Sequence, residues 1–321
     1  MMKKTVTYCR LIFVIPLMML SSYTNSQSFV TTKGTGTAME KSFNVSDFKG
    51  IDVSGGFDVI LVQGNTESLI LTAQENLFEH ITVKVDNGTL KIYTRNNIWA
   101  TKPLKARINF KSINNLKVSG GGDVTGETPL NVEALEVSIS GGGDFSSVVN
   151  SEELNYRISG GGDTEIKGKT KDYHLDVSGG GDIRSEVNSS IILCRISGGG
   201  DLYLRNEYKA SDADIDINGG GDMDLKINAE RLKCSVTGGG DALLAGNASE
   251  FEIYINGGGD ADARNLSTDI TSFKVNGGSD IHVSASQELS GYISGGGNVY
   301  YSGNPEKISV DAKGGSEVHR E

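Results

Sequence analysis

The chain repeats one four-residue turn along most of its length. Gly-Gly-(Gly/Ser)-Asp ends at Asp123, Asp144, Asp163, Asp182, Asp201, Asp222, Asp241, Asp260 and Asp280, then continues as Gly-Gly-Gly-Asn298 and Gly-Gly-Ser-Glu317. Successive acids stand 18–21 residues apart, most often 19. A fixed period near 20 is the sequence mark of a solenoid. The turn also explains why 43 of 321 residues are glycine while only 4 are proline. Without a Gly-X-Y period, that glycine is not collagen's.

The residues around each turn identify the kind of solenoid. Five before the acid stand Val118, Ile139, Ile158, Val177, Ile196, Ile217, Val236, Ile255, Val275 and Ile293, with Ala312 the exception. Two earlier come Leu116, Val137, Tyr156, Leu175, Cys194, Ile215, Cys234, Ile253, Phe273, Gly291 and Val310. The residues between these two columns are mostly polar, as Lys117, Arg157, Asp176 and Arg195 show. This alternation of period two belongs to strands with one buried face. Helical repeats are excluded, since triple glycine inside a helix costs about 1 kcal/mol per residue. The fold expected is all-β, a parallel β-solenoid (β-helix) of 19–21-residue coils with a less regular N-terminal β cap. Glycine turns each corner because it reaches positive φ and leaves room for stacked backbones. Ser279 and Ser316 at the third position suggest that this site is less strict than the first two.

Three segments follow from the pattern. Residues 1–27 read as a signal peptide: Lys3, Lys4 and Arg10 precede the apolar run Leu11–Leu20, and a small polar exit follows. Cleavage is expected within 22–28. Residues 28–115 read as an N-terminal β region capping the solenoid, and 116–321 as the Gly-Gly-Gly-Asp solenoid itself. Within the cap, Asn87-Gly88 between alternating strands predicts a two-residue hairpin. Asn76–His80 predicts one helical turn, and Trp99 and Pro103 a loop-like link. No later apolar stretch reaches the ~20 residues of a transmembrane helix, so the protein reads as exported, to the periplasm, the outer-membrane surface or the exterior. Cys194 and Cys234 fall in one inward slot two coils apart. That is too far for a disulfide, so both read as free core thiols.

The opening stretch Phe48-Lys-Gly-Ile-Asp-Val-Ser-Gly, running on to Gly64, is followed by Asn76-Leu77, by Gly88-Thr-Leu-Lys-Ile92 and by serial Ser-Gly-Gly-Gly-Asp coils. Together these resemble the bacterial head GIN domain family, described as auto-transporter adhesins, over about residues 43–321. The resemblance implies an exported β-helical protein with no catalytic residues to carry over. No stretch after Glu321 offers a translocating barrel, so an autotransporter route is not expected.

The aspartate column is the most pointed chemical feature. Stacked carboxylates ~5 Å apart repel by about 0.8 kcal/mol per pair in water, so something must offset them. The plainer reading has each Asp accept bonds from neighbouring glycine N–H groups, a role that Asn298 could share. The sharper reading is a Ca²⁺ ladder, since acidic oxygen edges suit hard cations; no other cofactor is expected. Catalysis finds little support. The four histidines are scattered, and no phosphate loop or nucleophile motif is present. Arg157, Asp176 and Arg195 form a minimal constellation for a polysaccharide lyase, with cross-rung ion pairs as the plainer account. Tyr254 and Tyr292 share one outward column, and Tyr203 and Tyr300 lie on the adjacent face, where exposed rings could meet sugars or proteins. A net charge of −11 argues against nucleic acid as a partner. The reading is a non-catalytic exported solenoid with a repetitive acidic surface, for adhesion or for contact with carbohydrate or an envelope or host surface protein. The alternatives are a polysaccharide-active β-helix enzyme and a purely structural spacer. The sequence leaves the oligomeric state open.

Overall fold

The computed structural model describes residues 31–95 and 97–321. The expected leader, 1–27, lies outside the described residues. Apart from one 3-10 turn at Glu75–His80, the elements are strands. A typical coil runs through strand Glu153–Gly160, the glycine corner and strand Thr164–Lys169, then enters the next coil at Asp172–Gly179. Each strand pairs in parallel and in register with its counterpart one coil on. Leu154, Tyr156 and Ile158 therefore face Tyr173, Leu175 and Val177, and Thr164 and Ile166 face Ile183 and Ser185. The fold is the parallel solenoid expected.

Register is what makes the core. The slot five before the acid is buried from Val118 through Ile293, each residue resting on its equivalent above and below. β-branched side chains fit here because they are stiff and favour extended backbone. The neighbouring slot is more varied, and one pair in it is complementary. Phe273 stacks on Gly291, where a Cβ would fall 2.6 Å from the Phe273 ring. The large ring is thus accommodated by a missing side chain one coil on.

Cys194, Ile215 and Cys234 are successive rungs of that slot. Both cysteines are buried and free. Loss of solvation pushes both thiols well above the ordinary cysteine range, with Asp176 adding to the effect at Cys194 and Asp214 and Asp216 at Cys234. Because the thiolate is the nucleophile, neither should react with a thiol reagent in the native protein, and both should react once it is unfolded. Rapid native labelling would show that the coils open locally.

The first coil, with its corner at Gly55-Gly56-Phe57-Asp58, precedes the hairpin and the other strands of the cap. Gly50–Ser54 and Asp58–Gln63 stack in parallel directly on Asn115–Gly120 and Val124–Gly126. The expected division at 115/116 thus falls inside a strand paired on both sides. The intervening chain folds beneath the first coil. Hairpin Ile81–Asp86/Thr89–Thr94 lies under one of its strands and Lys105–Phe110 under the other. Ser68–Gln74 pairs antiparallel with Lys105–Phe110 and with Ala38–Phe43, closing that end of the rod. The hairpin turns at Asn87 and Gly88, both with positive φ, as a type I′ turn requires. Trp99 differs from expectation. It belongs to a two-residue strand, Ile98–Trp99, paired with Thr32–Lys33. Its ring stays exposed under the Lys33 ammonium.

Candidate functional site

Parallel stacking brings the aspartates into one column, and their bonding differs from the turn chemistry expected. At the corner the backbone N–H of each acid finds no backbone acceptor in the preceding coil. The side chain one coil back supplies it: Asp144 N–H donates to Asp123 Oδ1 at 3.0 Å, Asp163 to Asp144 at 2.9 Å and Asp241 to Asp222 at 2.8 Å. This ladder runs unbroken from Asp58 to Glu317, which donates to Asn298 Oδ1 at 3.1 Å. The donor is therefore the next acid's own amide and not a neighbouring glycine. A hydrogen bond to a charged acceptor is worth about 1.5–3 kcal/mol. The repulsion between adjacent carboxylates is about 0.8 kcal/mol in water and about 3 kcal/mol at an effective dielectric of about 20. A column whose acids are mostly exposed lies nearer the value in water. The column is held by its bonds in spite of its charge.

A prediction follows for Asp201, which accepts from Asp222 N–H at 2.9 Å. Asp201→Ala strands that amide and should cost about 1–2 kcal/mol. Asp201→Asn keeps an acceptor and removes two like-charge contacts while weakening the bond by about as much. It should therefore lie within about 1 kcal/mol of the parent. Urea denaturation of the two variants checks this; equal losses would mean the side-chain acceptor is unimportant.

Beside this column lies an acidic groove of about 470 Å³. One wall is the acid column from Asp201 to Asp280, the other carries Asp224 and Asp262, and the buried, small Ala242 and Ala261 leave room between them. Arg264 pairs with Asp262 and holds that carboxyl below its usual range by hydrogen bonding. Among the described residues no group of three or more His, Cys, Asp or Glu side chains is placed to hold a metal ion. The calcium ladder finds no cage there.

The four tyrosines are half-buried in their outward columns, each with at least one ring face against a neighbouring coil. Column neighbours sit about one rung, ~4.8 Å, apart, so a ring's flat side meets the next coil. Lys274 covers Tyr254, Lys313 covers Tyr292 and Arg184 covers Tyr203, at 5.6, 5.2 and 5.2 Å from the ring centroids. Tyr300 is sandwiched between His282 and His319 at 4.7 and 5.3 Å. Arg157, Asp176 and Arg195 do share a column. There Arg157 is taken by Glu136 at 2.6 Å and Arg195 by Asp216 at 3.8 Å. These are exposed cross-rung ion pairs of small energetic weight.

Sequence reasoning missed the second corner of the coil, where an asparagine column runs opposite the glycines. Asn150 donates to Asn131 and Asn247 to Asn228, both at 2.9 Å. The signal was an asparagine six residues after Asp144, Asp182, Asp222 and Asp241. At this corner the 21-residue coil between Asp201 and Asp222 places its extra residues, with a register shift between Asn206 and Lys209. Tyr208 stands out there, 54% exposed.

Compared with known proteins, the chain matches the family described as putative auto-transporter adhesin, head GIN domain, over residues 47–205 and 188–305. No curated protein matches. Similar solved structures include a putative lipid binding protein from Parabacteroides distasonis ATCC 8503, 22% identical over 91% of this chain and 100% of that one, TM-score 0.39. A putative adhesin from Parabacteroides merdae ATCC 43184 is 20% identical over 91% and 99%, TM-score 0.40. Another from Bacteroides fragilis NCTC 9343 is 18% identical over 90% and 99%, TM-score 0.31.

Proposed function

The chain belongs to the head GIN domain family of putative auto-transporter adhesins, and on that premise we propose that it is a non-catalytic adhesive module. It is exported, and its outward columns contact a carbohydrate or an envelope or host surface protein. The observation that carries this reading is the strict register of the coils, which repeats outward side chains along a rigid rod. Repetition on a stiff scaffold favours many weak contacts made together, since linked contacts gain avidity without any new kind of bond. The glycine-corner edge, with its acid column, repels anionic polymers, so the partner surface is neutral or basic. No helix among the described residues is long and apolar enough to cross a membrane.

The test pairs binding with turnover. Purified protein is applied to bacterial envelope fractions and host-cell surfaces, and separately incubated with acidic polysaccharides. Saturable retention without product release is the expected result. Released oligosaccharide would make the protein an enzyme, and neither outcome would leave it a spacer.

A further inference from the structure

The geometry points to a neutral-glycan site at the asparagine corner, built around the Tyr208 bulge. The inference rests on the adhesive reading above, to which it adds a place and a ligand class. Two clefts, of about 620 and 710 Å³, flank the bulge and share Glu207, Asn228 and Asn247 in their walls. Each has the size of a small-ligand site. The larger is floored by Ala229 and Ala248, both buried, and Gly246 opens the smaller. Small residues below and a two-residue protrusion beside them make this corner concave.

The bulge is held rather than loose. Asn188 Oδ1 accepts the N–H groups of Glu207 at 2.7 Å and Tyr208 at 3.3 Å. The Asn206 side chain is buried and bonds both the N–H and the C=O of Ser189. Bulges of this kind re-aim a side chain, and here the re-aimed one is Tyr208. The four tyrosines within the columns give ring faces to their neighbours; Tyr208 lies outside any column. The backbone that carries Tyr208 is fixed and its ring is exposed, and an exposed ring on a held backbone is a stacking platform.

The walls supply matching polar chemistry. The Asn247–Asn228 bond leaves Asn228 Nδ2 and Asn247 Oδ1 for a ligand's hydroxyls, since a side-chain amide both donates and accepts. Three acids, Glu186, Glu207 and Asp269, balance three bases, Arg205, Lys209 and Lys226. A balanced cleft does not select a charged polymer. Rungs recur every ~4.8 Å, close to the length of one sugar unit in an extended glycan, so successive coils can offer equivalent contacts to successive sugars.

The test applies purified protein to immobilised neutral oligosaccharides of the gluco-, galacto-, manno- and N-acetylhexosamine series, with oligouronates as the charged counterpart. At least one neutral series should be retained over the uronates. Tyr208→Ala should weaken that binding about tenfold, Tyr208→Phe should keep it, and Trp99→Ala, in the cap and outside the outward columns, should leave it unchanged, all with unaltered melting temperature. Preference for uronates, or full binding by Tyr208→Ala, overturns the site. Absence of neutral-glycan binding also overturns it; retention on cell surfaces in that case would leave the adhesive reading standing, and loss of both would remove that reading too.

Discussion

Replacing Gly219 by alanine should cost about 4 kcal/mol or more, while the same change at the adjacent Gly220 should cost less than about 1 kcal/mol. The first glycine of every corner pairs with its counterpart one coil away. A Cβ on Gly219 would fall 1.7 Å from the Gly198 carbonyl oxygen, and its φ of +149° is one that side chains rarely adopt. Backbone cannot step aside there without breaking two rungs. Gly221 is equally confined, 2.1 Å from the Gly200 oxygen, whereas nothing lies within 4 Å of a Cβ on Gly220. Chemical denaturation of the three alanine variants should therefore give a severe, mild, severe pattern across one turn. A uniform loss would show that the turn's own conformation, and not the stacking, demands glycine.

That pattern corrects a reading made from the sequence. Ser279 and Ser316 suggested that the third site was the tolerant one, yet the room lies at the second. Ser279 is fully buried, with its hydroxyl near the Gly257 carbonyl at 3.3 Å, in the one coil of 20 residues. Ser316 repeats this contact in a 19-residue coil, 3.3 Å from the Gly295 carbonyl, so serine at the third site is confined to the last coils rather than to one coil length. The coil itself was legible because a strict period and an alternating pattern fix strand, face and register together. The Asn87-Gly88 hairpin was legible because positive φ at two successive residues selects those residue types. The acceptor of each acid's amide was not, since a bond from Asp163 N–H to Asp144 spans nineteen residues and exists only after stacking. The asparagine corner was equally quiet. Asn, Ser and Ala are ordinary residues, and only their columns, read after alignment, set Asn150, Asn188, Asn228 and Asn247 apart. Covered tyrosine faces follow from register as well, because a side chain that points outward from its own strand still has neighbours above and below.

Ile217→Ala should cost about 3 kcal/mol, whereas Val310→Ala should cost less than about 1 kcal/mol. Both residues face inward, but Ile217 rests between Ile196 and Val236 and is 1% exposed. Val310 lies in Lys307–Gly314, a strand exposed along nearly its whole length. Removing buried methyl groups costs their transfer energy plus the cavity left behind, and the second part depends on whether the surroundings can collapse. In a mid-rod coil they cannot: backbone rungs pin the layers ~4.8 Å apart, so Ile196 and Val236 both lose packing to a gap neither can fill. Val310 is half-buried at the edge of the core, and its counterpart one coil back is Gly291, which has no side chain to lose contact with. Denaturation of the two variants under the same conditions decides the matter. Equal losses would mean that the interior behaves as one pooled core, and unequal ones that stability resides in contacts between adjacent coils, as in other stacked repeats.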